Sequence, residues 1–148
     1  MAAVDAIRWL TLDAGDRERL RRAVERALSK RPWAVAAWFY GSAARNRPAR
    51  DIDVGIAAEP IPDPLHLEAI AAEIADELGL LPTDLDVRLL NGSDPVFLGN
   101  VLREGERLFE GDRDKRVGFE VWAMNQWLDF QPVWDRMRRQ VLAGWSRG

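Results

Sequence analysis

The sequence predicts an α/β domain of the α+β kind, in which a small mixed sheet is flanked by helices and followed by a long C-terminal helix. Three observations carry this reading. Short apolar or alternating segments end at Gly, Pro or Asp, as strands do. Stripes of apolar residues at helical spacing lie between them. From Asp114 onward the helical pattern dominates to the end of the chain.

The elements follow in order. Asp16 to Lys30 is a helix whose apolar stripe is Leu20, Val24, Ala27 and Leu28. Its opposite face, with Arg17, Arg19, Arg21, Arg22 and Arg26, is expected to be solvated. Trp33 to Tyr40 is an uninterrupted apolar run and reads as a buried strand. Ser42 to Arg45 opens a short helix after Gly41, and Asp51 to Ile56 forms the second strand. Asp63-Pro64 supplies an N-cap and a first-turn proline, Leu67, Ile70, Ala71, Ile74 and Leu78 form the stripe, and Gly79 ends that helix. In Asp84 to Leu90, Leu85, Val87 and Leu89 alternate with Asp84, Asp86 and Arg88, the pattern of a third strand. Pro95 to Leu102 is helical and Glu106 to Phe109 a short edge strand. The terminal helix is expected to be interrupted at Pro132.

The chain has 148 residues, enough to bury a core, and is read as one domain with a core over about 14–112 and a helical segment over about 113–146. The net charge of −3 argues against a direct nucleic-acid surface, which would need concentrated basic residues. Cysteine is absent, so disulfides and thiolate metal sites are excluded. The single histidine, His66, has no partner for a zinc site and is expected at the surface. The first residues do not look like a signal peptide and no apolar run is long enough to span a bilayer, so a cytoplasmic location is expected.

The stretch WFYGSAARNRPARDIDVGI, Trp38 to Ile56, carries the chemistry. Along a strand, residues i and i+2 share a face about 6–7 Å apart. Asp51 and Asp53 therefore point one way while Ile52 and Val54 point into the core. If the Asp86 strand is a neighbour, three carboxylates converge. They repel one another unless a cation holds them, and oxygen-only ligands suit Mg²⁺ or Mn²⁺. Upstream, Gly41 allows close backbone approach, the helix start after it offers N–H groups to an anion, and Ser42 and Arg45 add polar contacts. Such a site can hold a nucleoside triphosphate through its metal.

Gly41-Ser42-x-x-Arg45 followed by Asp51-x-Asp53 resembles the signature of the minimal nucleotidyltransferases, within the DNA polymerase beta-like superfamily. DVRLLN, from Asp86, is similar to that family's third-aspartate strand, and FLGNVLREGERLFEGD to its usual continuation. The resemblance spans roughly Trp33 to Asp112. It implies the nucleotidyltransferase fold, with Gly41, Ser42 and Arg45 at the triphosphate of ATP. Asp51, Asp53 and Asp86 would be metal ligands for Mg²⁺ and catalytic residues, Asp86 also helping to activate the attacking hydroxyl. Two positions depart from the pattern: Asn46 stands where the family often has glycine, and Arg50 where it usually has serine. Arg50 adds phosphate affinity or, if paired with an aspartate, blunts metal binding.

Small stand-alone members of the family are commonly antitoxins, so the resemblance implies transfer of AMP from ATP to a tyrosine of a HEPN ribonuclease toxin as partner. The chain does not look like the toxin, whose Arg-x4-6-His motif would need arginine at one of Glu59, Pro60 or Ile61. Two alternatives are a binding-only antitoxin with a vestigial pocket and a small-molecule nucleotidyltransferase of the aminoglycoside-modifying type. The C-terminal segment carries Trp122, Trp127, Trp134 and Trp145, more than one helical stripe can bury. A partner surface and an internal packing role are both expected there, and an oligomer is left open.

Overall fold

In the computed structural model, which describes residues 8–146, the chain opens with helix α1 (Ala14–Ser29). Its start lies two residues before Asp16 because Asp13 and Asp16 cap each other. The Asp13 carboxylate accepts from the Asp16 N–H at 2.8 Å, and the Asp16 carboxylate from the Asp13 N–H at 3.1 Å. Strand β1 (Ala34–Tyr40) leads into the single helical turn α2 (Gly41–Ala44), and β2 (Ile52–Ala58) follows. Helix α3 (Leu65–Leu78) begins after Pro64, where the Asp63 carboxylate accepts from the Leu65 N–H, and stops at Gly79, whose φ of +68° suits glycine.

Strand β3 (Leu85–Leu89), helix α4 (Pro95–Glu104) and strand β4 (Glu106–Glu110) complete the domain core. The four strands lie in the order β3-β2-β1-β4. β1 is antiparallel to both β2 and β4, and β2 is parallel to β3, so the sheet is mixed. Phe39, Ile52, Val54 and Ile56 pack with α1 and α3 on one face. Trp38 and Ala57 pack with Leu98 and Val101 of α4 on the other. With both faces covered, β1 must be apolar throughout, which is why it reads as a continuous run rather than an alternation.

Helix α5 (Arg113–Ser146) differs from the expectation at Pro132. It runs 34 residues with that proline inside it. Proline removes one hydrogen bond to the preceding turn, a loss a long helix can absorb when its neighbouring turns remain bonded. The first half of α5 packs on the sheet and α4 through Phe119, Ala123 and Trp127. From Gln131 to Trp145 every side chain but Asp135 is exposed. Among the described residues, no helix is long and apolar enough to cross a membrane.

A second difference concerns Asp84. It belongs to a one-turn 3-10 helix (Pro82–Asp84), not to the strand, and is only 7 % exposed. Its carboxylate accepts from the Leu81 N–H at 2.9 Å and pairs with Arg8 at 3.4 Å. Asp84 is thus a structural cap and does not share a site with Asp86.

Candidate active site

Strand register brings the acidic residues together. Asp53 on β2 is directly opposite Asp86 on β3 in the parallel pair and opposite Tyr40 on β1 in the antiparallel pair. Residues in register share a face, so Tyr40, Asp53 and Asp86 form a row across three strands. Asp51, just before β2, joins them. One carboxylate oxygen from each of Asp51, Asp53 and Asp86 lies within 4.8 Å of the others. All three are half-buried.

Burial, then the charges of Asp51 and Asp86, push the Asp53 carboxyl up to about 7. A carboxyl held that high is one whose charge the site does not compensate. Arg88 offsets part of the field from the side: its guanidinium donates to both Asp86 oxygens, at 3.1 and 3.3 Å, and is held above its ordinary range by that contact. The donor set is three hard oxygens without nitrogen or sulfur. Its chemistry fits a divalent cation such as Mg²⁺.

Gly41 is required here twice over. Its φ is +82°, and a Cβ built on it would lie 2.3 Å from Asp53 Oδ2. Only glycine leaves that carboxylate room beside the turn. The family pattern described as Polymerase beta, Nucleotidyltransferase matches residues 23–114, which include the turn and all three aspartates. The chain belongs to that nucleotidyltransferase family.

Solved structures agree with the fold. One is similar with a TM-score of 0.64 at 19% identity, covering 85% of this chain and 98% of the other: a chain in the tri-AMPylated Shewanella oneidensis HEPN toxin in complex with MNT antitoxin. A second, from a toxin-antitoxin complex with AMP-PNP, has a TM-score of 0.63 at 20% identity and covers 88% of this chain and 99% of the other. A third, from the toxin-antitoxin MntA-HepT, has a TM-score of 0.63 at 18% identity, with coverage of 85% and 98%. By sequence, no curated protein matches the chain.

The remaining residues expected of a nucleotidyltransferase site are placed as follows. Ser42 is exposed in α2, one residue after the glycine. Arg45, just after α2, pairs with Glu104 of α4. Both side chains are about half exposed, so the pair is weak and the guanidinium can exchange to a phosphate. Asn46 has φ +59°. That is the left-handed region that glycine favours and asparagine tolerates best among the others, so the departure at this position keeps the turn's backbone. Arg50 stacks its guanidinium over the Trp9 ring at 5.8 Å and, among the described residues, forms no ion pair with an aspartate. Neither departure damages the acidic trio. His66 is exposed, as expected, with its ring 5.9 Å from that of Trp33.

One residue escaped sequence reasoning. Arg17 was expected on a solvated face, yet its guanidinium donates to the carbonyls of Ala43 (3.2 Å) and Ala44 (2.6 Å) and to Asn46 Oδ1 (2.9 Å). It also pairs with Glu106 at 3.2 Å and lies over the Phe39 ring. A cation on the last carbonyls of α2 fixes that single turn, which is too short to be stable alone. Nothing in the α1 pattern separates Arg17 from the other arginines, because the contact is made 26 to 29 residues away. Arg17→Ala is expected to lower the melting temperature by several degrees and to weaken ATP binding by about tenfold, matching one or two charge-assisted hydrogen bonds. Scanning calorimetry and an ATP titration read the two effects; an unchanged pair of values would return Arg17 to the solvated face.

A small cavity of about 110 Å³ lined by Tyr40, Gly41, Arg45, Phe97 and Glu104 borders the site. A cavity of about 390 Å³ lined by Val35, Ala58, Phe119 and Trp122 lies at the opposite end of the sheet and has no part in it. The half-buried acidic trio suits a polyphosphate only through a cation between them, since carboxylates and phosphates repel each other directly.

Proposed function

We propose that the chain is a Mg²⁺-dependent nucleotidyltransferase that moves AMP from ATP to a hydroxyl, that of a tyrosine on a HEPN ribonuclease toxin, and so serves as its antitoxin in the cytoplasm. The observation that carries the reading is the convergence of Asp51, Asp53 and Asp86 beside the Gly41 turn. Family membership supports nucleotidyl transfer, and the similar structures, which are MNT antitoxin complexes with HEPN toxins, support the acceptor.

The reaction balances simply. The acceptor oxygen bonds to the α-phosphorus, the bond from that phosphorus to the bridging oxygen breaks, and pyrophosphate leaves. Mg²⁺, when bound, supplies charge neutralisation at the attacking and leaving oxygens. Asp51 and Asp53 would hold it, and Asp86 would accept the acceptor's proton. The Gly41-Ser42 turn presents backbone N–H groups and a hydroxyl to phosphate oxygens, and Arg45 lies at the end of the same turn. The test is incubation with ATP, Mg²⁺ and a HEPN partner, followed by mass spectrometry for added AMP on the partner.

A second reading, neutralisation by binding alone, is favoured by the end of α5. Val133, Trp134, Met137, Val141, Leu142 and Trp145 are all between 43% and 79% exposed on a segment that packs on none of the sheet. A run of this kind is a partner surface rather than a core. Trp134→Ala is expected to weaken partner capture by tenfold or more while leaving the melting temperature within about 1–2 °C, because its one ring contact among the described residues is with Phe130 of the same helix. A buried tryptophan would instead cost about 3–5 kcal/mol. A large fall in melting temperature with partner binding retained would defeat the interface. If wild type adds no AMP to the partner yet still neutralises it, binding alone is the function.

A further inference from the structure

Tyr40 carries a hydroxyl that the proposed reaction does not yet use. Its oxygen is fully buried and has no hydrogen-bond partner, and it is the one buried side-chain polar atom of that kind among the described residues. Leaving a hydroxyl buried and unpaired costs enough that such groups are rare without a purpose. The ring is fixed by an edge contact with Phe97, with centroids 5.4 Å apart, and by its place at the end of β1. Its register partner across the antiparallel pair is Asp53. The phenol thus lies in the fields of Asp53, Arg88, Asp86 and Asp51 together. Those neighbours include three carboxylates, which accept hydrogen bonds, and the phenol has one O–H to donate.

We propose that Tyr40 is a positioning residue whose hydroxyl donates to the Asp53 carboxylate oxygen not taken by the cation, fixing that carboxylate in its ligating orientation. The inference rests on the metal role given to Asp53. Its logic is that of any side chain held behind a metal ligand: a hydrogen bond to the free oxygen sets the angle of the bound one. In this structure the phenol oxygen has no partner, and Asp53 Oδ2 lies beside Gly41. A carboxylate that ligates through one oxygen leaves its outer oxygen to be held by a donor. Gly41 closes one side of Asp53 and admits no side chain there, so the cross-strand tyrosine is the group placed to supply it.

The chain contains a single tyrosine, which makes the test direct. Binding of Mn²⁺ alone is followed by electron paramagnetic resonance, binding of Mg²⁺ by calorimetry, and the tyrosine doublet in the Raman spectrum before and after Mg²⁺ reports the hydroxyl's hydrogen bonding. Tyr40→Phe keeps the ring and removes only the oxygen. It is expected to weaken both cations by about ten- to a hundredfold, the scale of one hydrogen bond to a charged group. The metal-free variant should melt at the wild-type temperature or above it, because an unpaired buried hydroxyl has been removed. In wild type the doublet should shift to the donor form on adding Mg²⁺. Equal cation affinity in the two proteins overturns the inference, as does an unmoved doublet, while the metal role of Asp53 survives. A variant that loses melting temperature as well as affinity shows a packing role and also overturns it. Failure of wild type to bind either cation removes both readings.

Discussion

Asp53→Asn is expected to reduce Mg²⁺-dependent ATP binding by more than about 100-fold and leave the fold intact, because side chains one step behind a metal ligand already cost 10–100-fold when lost. The substitution keeps the shape and removes the charge. Stability should change in the opposite direction to binding. In the metal-free protein the Asp53 carboxyl is pushed from 3.8 to about 7 by burial and by Asp51 and Asp86. A group with a raised folded-state value contributes stability that is fully present below its unfolded value and is lost as pH rises through the folded one. Wild type without metal therefore loses stability between about pH 4 and 7, and asparagine does not. The variant's melting temperature should pull ahead of wild type across that window and level off above it. Saturating Mg²⁺ should return wild type to the lead at pH 8. Calorimetry of the Mg·ATP titration, and melting curves from pH 4 to 8, read both halves. An unchanged affinity would falsify the ligand role, and a variant that melts lower at every pH would place Asp53 in the core's structure instead.

The positions of the elements were legible because they rest on local signals. Gly79 and the Asp63-Pro64 start bound α3 with backbone preferences that need no tertiary partner. The trio was legible for a related reason. Strand alternation placed Asp51 with Asp53, and the Asp86 strand shows the same alternation, so one condition remained, that β2 and β3 be neighbours. The Gly41-Ser42 turn was legible from glycine's backbone freedom and the helix start after it, and the family resemblance joined it to the trio. Long-range contacts were not legible. Asp84 looked like a strand residue because it continues the alternation with Asp86; its carboxylate instead caps the Leu81 N–H three residues back, a local contact the alternation masked, and meets Arg8 only in the folded chain. Arg17 is the same case on α1. Pro132 failed for a different reason: the rule that proline breaks helices concerns one lost hydrogen bond, and a 34-residue helix has many others. The tryptophans divided by position. Trp127 lies so close to α4 that a Cβ on Gly99 would collide with its ring, whereas Trp134 and Trp145 lie beyond the last turn that touches the sheet.

Asp86→Asn separates chemistry from binding. Asp51 and Asp53 can hold a cation on the triphosphate without any transfer, whereas loss of a proton from the acceptor needs a further negative group beside it. Asp86 faces Asp53 across the strand pair and is set in place by Arg88, so its carboxylate is oriented before any ligand arrives. The variant is expected to keep Mg·ATP affinity within about tenfold of wild type and to slow AMP transfer by about 10²–10⁴-fold, the span of a positioned general base. Because losing this carboxylate would also release Arg88, Arg88→Ala is the necessary companion: it removes the guanidinium while leaving the carboxylate, and should slow transfer far less. The two variants are compared by mass spectrometry of the HEPN partner over time, at matched saturation with Mg·ATP. Transfer by Asp86→Asn at the wild-type rate would sink the proton-accepting role. Asp84 cannot then replace it, since that carboxylate is buried in its own cap, and the base would have to come from the acceptor protein itself. Equal slowing in both variants would instead make the Asp86–Arg88 pair a device for orienting the acceptor, with the guanidinium as its working end.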